Sequence, residues 1–171
     1  MLKPVGIHMT VERFPVGATL FEDEALPAAA LLLPLADEEG EQASVEHLEM
    51  FCEGRLRLTE SEYSVSYEET ELTGMDGSTS QLSFQRAEPT LLTMLRGGAV
   101  STALVFEPNK RHICIYKTPF MTLEACVHTL KVDNRLLKDE KGGTVELDYV
   151  VEIRGAQAER CRMKLEVYER S

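Results

Sequence analysis

Cationic side chains are scarce in this chain: 18 Lys and Arg stand against 29 Asp and Glu in 171 residues, a formal charge of -11. Neutralising a phosphate backbone requires clustered cations, so this balance argues against nucleic acid as a partner. The basic residues that exist are scattered. Their densest set, Arg160, Arg162 and Lys164, alternates along one segment as a solvated strand face would. Long apolar runs are also missing. The most apolar stretch, Ala25 to Ala36, is broken by Pro27 and Pro34 and falls well short of the roughly 20 residues that cross a bilayer as a helix, so no membrane partner is expected. No apolar leader with a cleavage site follows Met1, Leu2, Lys3 and Pro4, and a cytoplasmic location is the expectation. The four cysteines (Cys52, Cys114, Cys126, Cys161) form no C-x-x-C pair, which points to reduced, buried thiols.

The familiar catalytic signatures are absent too. No G-x-S-x-G elbow places a nucleophile. Gly97-Gly98 and Gly142-Gly143 are lone pairs suited to turns, without the longer glycine spacing of a nucleotide loop. Glu68 and Glu69 are adjacent, so on a strand they point to opposite faces and cannot share a substrate. Nothing here calls for an enzyme or a cofactor.

What is present is a rhythm of two. From Thr144 to Arg154, Val145, Leu147, Tyr149, Val151 and Ile153 fill the odd positions, and only Val150 interrupts the polar even ones. Cys161, Met163, Leu165 and Val167 repeat the pattern after a short polar connection, which predicts a hairpin. The same test marks Ile7 to Val11, Leu48 to Gly54, Tyr63 to Glu69, Leu82 to Phe84, Leu91 to Arg96, Ala99 to Phe106, Arg111 to Thr118 and Met121 to Val132. Gly54 inside a strand suggests a bulge or bend, and Gly97-Gly98 a two-residue turn.

Nine or ten strands joined by short turns, with no amphipathic helix to house a crossover, exclude a parallel βαβ fold. The expectation is one domain over residues 1–171, an all-β antiparallel up-and-down barrel of about 8 to 10 strands. Helix is confined to short pieces within Ala25 to Leu33 and around Arg135 to Glu140. Residues 15–45, with the acidic run Asp37 to Glu41, read as an insertion or plug.

Several short features in order carry a resemblance. They are Tyr67-Glu68-Glu69, Leu95-Arg96-Gly97-Gly98, the Tyr116-Lys117-Thr118-Pro119-Phe120 corner, Thr129, Leu136, Lys141-Gly142-Gly143 and Leu147-Asp148-Tyr149. From about His47 to Glu169 the chain resembles the bacterial YwiB-like family, a domain of unknown function with a calycin-like, lipocalin-like β-barrel. Met121 departs from the family, where a glycine usually follows the aromatic of the corner, and the 15–45 segment is longer than the usual connection. The resemblance implies a barrel with an interior cavity and brings no activity with it.

Two constellations remain. His112 and Cys114 on one strand, and Cys126 and His128 on the next, would converge on a tetrahedral metal if both pairs faced one side. The plainer reading, adopted here, is of small buried thiols and hydrogen-bonded histidines, with no metal. The second set is Tyr67, Glu69, Arg96 and Tyr116, polar residues at or near strand ends. With His128 as a further pocket residue, they are the expected ligand-binding groups, able to orient the polar end of a small amphipathic molecule while aliphatic walls bury the rest. The alternative is a solid barrel closed by an Arg–carboxylate pair and working as a protein–protein interaction module.

Overall fold

The structure is a computed structural model that describes residues 2–17, 20–21, 45–71, 76–136 and 142–170. Its strands are β1 (Leu2–Pro15), β2 (Glu46–Leu58), β3 (Glu62–Glu68), β4 (Ser78–Gln85), β5 (Leu92–Gly98), β6 (Ser101–Phe106), β7 (Arg111–Lys117), β8 (Thr122–Asn134), β9 (Gly142–Ile153) and β10 (Glu159–Glu169). Each pairs antiparallel with its sequence neighbours, and β10 returns to β1, so the sheet closes as an up-and-down barrel. Closure removes the open edges that a flat sheet of this size would leave. Among the described residues there is no α-helix. The helix expected within Ala25 to Leu33 lies outside them, as does most of the 15–45 segment. Of the turn expected around Arg135 to Glu140, only Arg135 and Leu136 are described, with Leu136 in a turn.

The alternation seen in the sequence becomes the inside and outside of this wall. Cys161, Met163, Leu165 and Val167 of β10 are all buried, with Arg162 and Lys164 exposed between them. In β9 the odd one out, Val150, proves informative. It is fully buried on the outer face, in a small second cluster with Phe14, Val16, Leu20, Cys126 and Ala158. Residues 16, 20 and 21 run over the outside of the barrel to make that cluster. Val16 N–H donates to the Ala158 carbonyl at 2.9 Å, Arg111 donates to the Leu20 carbonyl at 2.7 Å, and the Arg154 guanidinium lies 4.2 Å over the Phe21 ring.

Register stacks the interior in layers. Tyr63, Phe84, Leu92 and Phe106 are directly paired across β3 to β6, and so are Val65, Leu82, Met94 and Leu104 one step along. All eight are buried. Tyr63 stacks on Phe84 at 5.1 Å and Phe106 tilts against Tyr149 at 4.8 Å. Each such side chain contributes about 1.5–3 kcal/mol by leaving water, which makes this end of the barrel the filled, stabilising end.

Two glycine expectations need correction. Gly54 causes no bulge, since β2 keeps unbroken register with both β1 and β3. A Cβ there would sit 2.7 Å from the Ser66 carbonyl oxygen and 2.4 Å from Ile7, so the glycine permits close approach. The break in register falls instead between Thr129 and Lys131 of β8. Gly97 and Gly98 do not form the hairpin turn either; they end β5, paired with Thr79 and Ser78, and the chain reverses at Ala99 and Val100. Of the two, only Gly98 has positive φ, at 116°, and a Cβ there would also sit 2.4 Å from the Gly77 carbonyl oxygen, so both backbone and space call for glycine.

Candidate functional site

Beyond the two apolar layers, the same register produces a polar one. Tyr67 pairs with Ser80, Ser80 with Arg96, Arg96 with Thr102, and Thr102 with Tyr116. Directly paired residues of an antiparallel sheet share a face. Five adjacent strands, β3 to β7, therefore present one inward belt of hydroxyl and guanidinium groups. Glu69 follows one step beyond Tyr67, tied in by its N–H to the Ser78 carbonyl at 2.8 Å.

The belt is hydrogen-bonded within itself. The Ser80 hydroxyl donates to Glu69 Oε1 at 2.5 Å and accepts from Arg96 Nε at 3.1 Å. Arg96 Nε also reaches Glu69 Oε1 at 3.4 Å, with the carboxylate side chain 1% exposed and the guanidinium 11%. A buried carboxylate is tolerable only with such partners. Burial pushes the Tyr67 hydroxyl well above its ordinary range; the Glu69 charge adds to this, and Arg96 and the hydrogen bond to Ser80 oppose it. Tyr149, across the barrel, is raised by burial as well. Both phenols are therefore neutral donors at physiological pH.

Opposite the belt the wall is apolar. Met9, Val11, Leu48, Ala125, Val151 and Met163 face Tyr67, Glu69, Arg96 and Tyr116 across a cavity of about 150 Å³, with Arg13 and Glu159 also lining it. The barrel is thus filled at one end and hollow at the other. Arg96 also lines a groove on the outside of β5 to β7, together with Thr102 and Cys114. There the wall is thin, because β6 and β7 pair only at Ser101–Lys117 and Thr102–Tyr116.

Four of the five expected site residues meet at this cavity; His128 does not. It lies opposite Arg111 on β7 and Val150 on β9, on the outer face. Burial there lowers its pKa, and the Arg111 charge lowers it further. The histidine–cysteine convergence also fails, for a reason of register. Cys114 pairs with Ala125 and Cys126 with Ile113, so the two thiols point to opposite sides of the wall, and the two histidines follow them. Among the described residues no group of three or more His, Cys, Asp or Glu could hold a metal. All four cysteines are free.

Sequence reasoning missed Ser80 and Thr102. Ser80 was within reach, since continuing the alternation of Phe84 and Leu82 back by two lands on it. Thr102 needed the pairing of β5 with β6.

A closed, ten-stranded, antiparallel up-and-down barrel with a polar belt at its hollow end defines the class of protein. Comparison with known proteins agrees. Residues 36–165 match a family described as Domain of unknown function (DUF1934), and the chain belongs to that family. The crystal structure of the ywiB protein from Bacillus subtilis is similar over 99% of this chain and 94% of that one, with a TM-score of 0.70 and 18% identity, a likeness that shows the fold. No curated protein matches.

Proposed function

We propose that the protein carries or senses a small amphipathic molecule held in the hollow end of the barrel. The observation that supports this reading is the two-sided lining. Tyr67, Arg96 and Tyr116 offer polar contacts from β3, β5 and β7, and the facing strands offer aliphatic surface. Binding sites of small ligands combine these two features, a few placed polar groups on an apolar wall. A cavity near 150 Å³ suits a body the size of benzene.

The interaction-module reading draws on a different observation. Leu95, Ile113, Ile115, Phe120 and Met121 stand exposed on or beside β5 and β7. The hollow end counts against a solid barrel. Native mass spectrometry of protein purified from its own host separates the two. A small co-purifying mass that denaturation releases is the expected result, whereas a heteromeric species with an empty barrel would replace the carrier reading.

A further inference from the structure

The hydrogen-bond inventory of the hollow end is unbalanced. Arg96 spends Nε on Glu69 and Ser80, but among the described residues its Nη2 meets only the Met94 sulfur, at 3.3 Å. Sulfur is a weak acceptor. Arg13, on the same cavity, binds Glu46 through Nη2 at 3.1 Å, and its buried Nε has no partner among the described residues. Glu69, by contrast, is already engaged by Ser80 and Arg96. The unmet capacity next to the cavity is therefore largely guanidinium N–H, and a guanidinium fork matches a carboxylate in shape and charge.

Charge limits the ligand further. Arg13 and Arg96 are offset by Glu69 and Glu159 on the same lining, and Glu46 sits against Arg13 at the rim. One added negative charge can be met by the open donors. A second would lie uncompensated in a poorly hydrated space, inside a chain of charge -11. That disfavours phosphates and dicarboxylates.

We propose that the hollow end binds a small monocarboxylate, its head on Arg96 and Arg13 and its benzene-sized apolar body against β8 to β10, β1 and β2. The proposal rests on the reading that this cavity holds a ligand, and the test separates the two. Benzoate, benzyl alcohol and benzylamine share one body and differ in head charge. Their affinities are measured by NMR titration of the full chain at millimolar concentration. Benzoate is expected to bind tighter than benzyl alcohol by about tenfold or more, the worth of one charge-assisted hydrogen bond, with benzylamine weakest. In the double variant Arg96→Met, Glu69→Leu, which leaves no orphaned charge, that preference should shrink to within about twofold while benzyl alcohol still binds. Arg13→Met, which leaves the inner pair untouched, should lower benzoate affinity several-fold and spare benzyl alcohol. Equal or tighter binding of the alcohol or the amine by the native chain overturns the carboxylate assignment alone. If none of the three probes binds, the ligand-site reading falls with it.

Discussion

Replacing Arg96 by methionine tests whether the inner ion pair is as dry as its geometry says. Two unit charges 3.4 Å apart attract by about 5 kcal/mol at an effective dielectric constant of about 20. Most of that repays the loss of water around a carboxylate that is 1% exposed. Arg96→Met removes the repayment and leaves the cost, so the expected destabilisation is about 3–5 kcal/mol, the range seen when one member of a buried pair is deleted. Removing both charges removes the cost as well. Arg96→Met with Glu69→Leu should therefore lie within about 1–2 kcal/mol of the unaltered protein, the residue being the hydroxyl of Ser80 deprived of its acceptor. Urea denaturation followed by far-ultraviolet circular dichroism at constant pH measures all three chains. If Arg96→Met costs less than about 1 kcal/mol, the pair is behaving as a solvated surface bridge and the reasoning fails. It fails equally if the double variant costs as much as Arg96→Met alone.

Other consequences are quicker to check. Gly98→Ala should cost about 1–3 kcal/mol because of its positive φ and the Gly77 carbonyl, while Gly97→Ala, with no atom within 4 Å of the added carbon, should change thermal stability by less than about 0.5 kcal/mol. Burial pushes the Cys161 thiol up to about 12, from an ordinary thiol value of 9.0. Its contribution to stability is then full below pH 9 and falls as pH rises toward 12, visible as a declining urea midpoint, and native Cys161 should resist a thiol reagent that labels all four cysteines after unfolding. His128, lowered from 6.5 by burial and by Arg111, should titrate below the free value by NMR and move up in Arg111→Met. Because its folded pKa is depressed, its contribution is present above pH 6.5 and is lost as pH falls through the folded value.

Much of this architecture was legible in the order of residues. The period of two marked all ten strands, and the lack of a crossover helix required antiparallel neighbours, because both are local properties of adjacent side chains. Tyr67, Glu69, Arg96 and Tyr116 could be singled out because polar groups at the ends of apolar strands are locally anomalous. Their assembly into a belt was not legible. It depends on which residue faces which across a hydrogen-bonded pair, and a slip of one position turns every side chain to the opposite face. That one-residue question separated Cys114 from Cys126, sent His128 to the outer wall and joined Ser80 and Thr102 to the site.

The glycines make the same point at a smaller scale. From sequence, Gly54 and Gly97-Gly98 were a bend and a turn; in the barrel, Gly54 makes room for Ile7 and the Ser66 carbonyl, and Gly98 for Gly77. Alternation along the chain decided that there would be a barrel with an inside and an outside. Pairing between distant strands decided that one end would be packed with aromatic and aliphatic layers and the other left hollow beneath Arg96 and Glu69, since only through-space register sets which side chains share a layer.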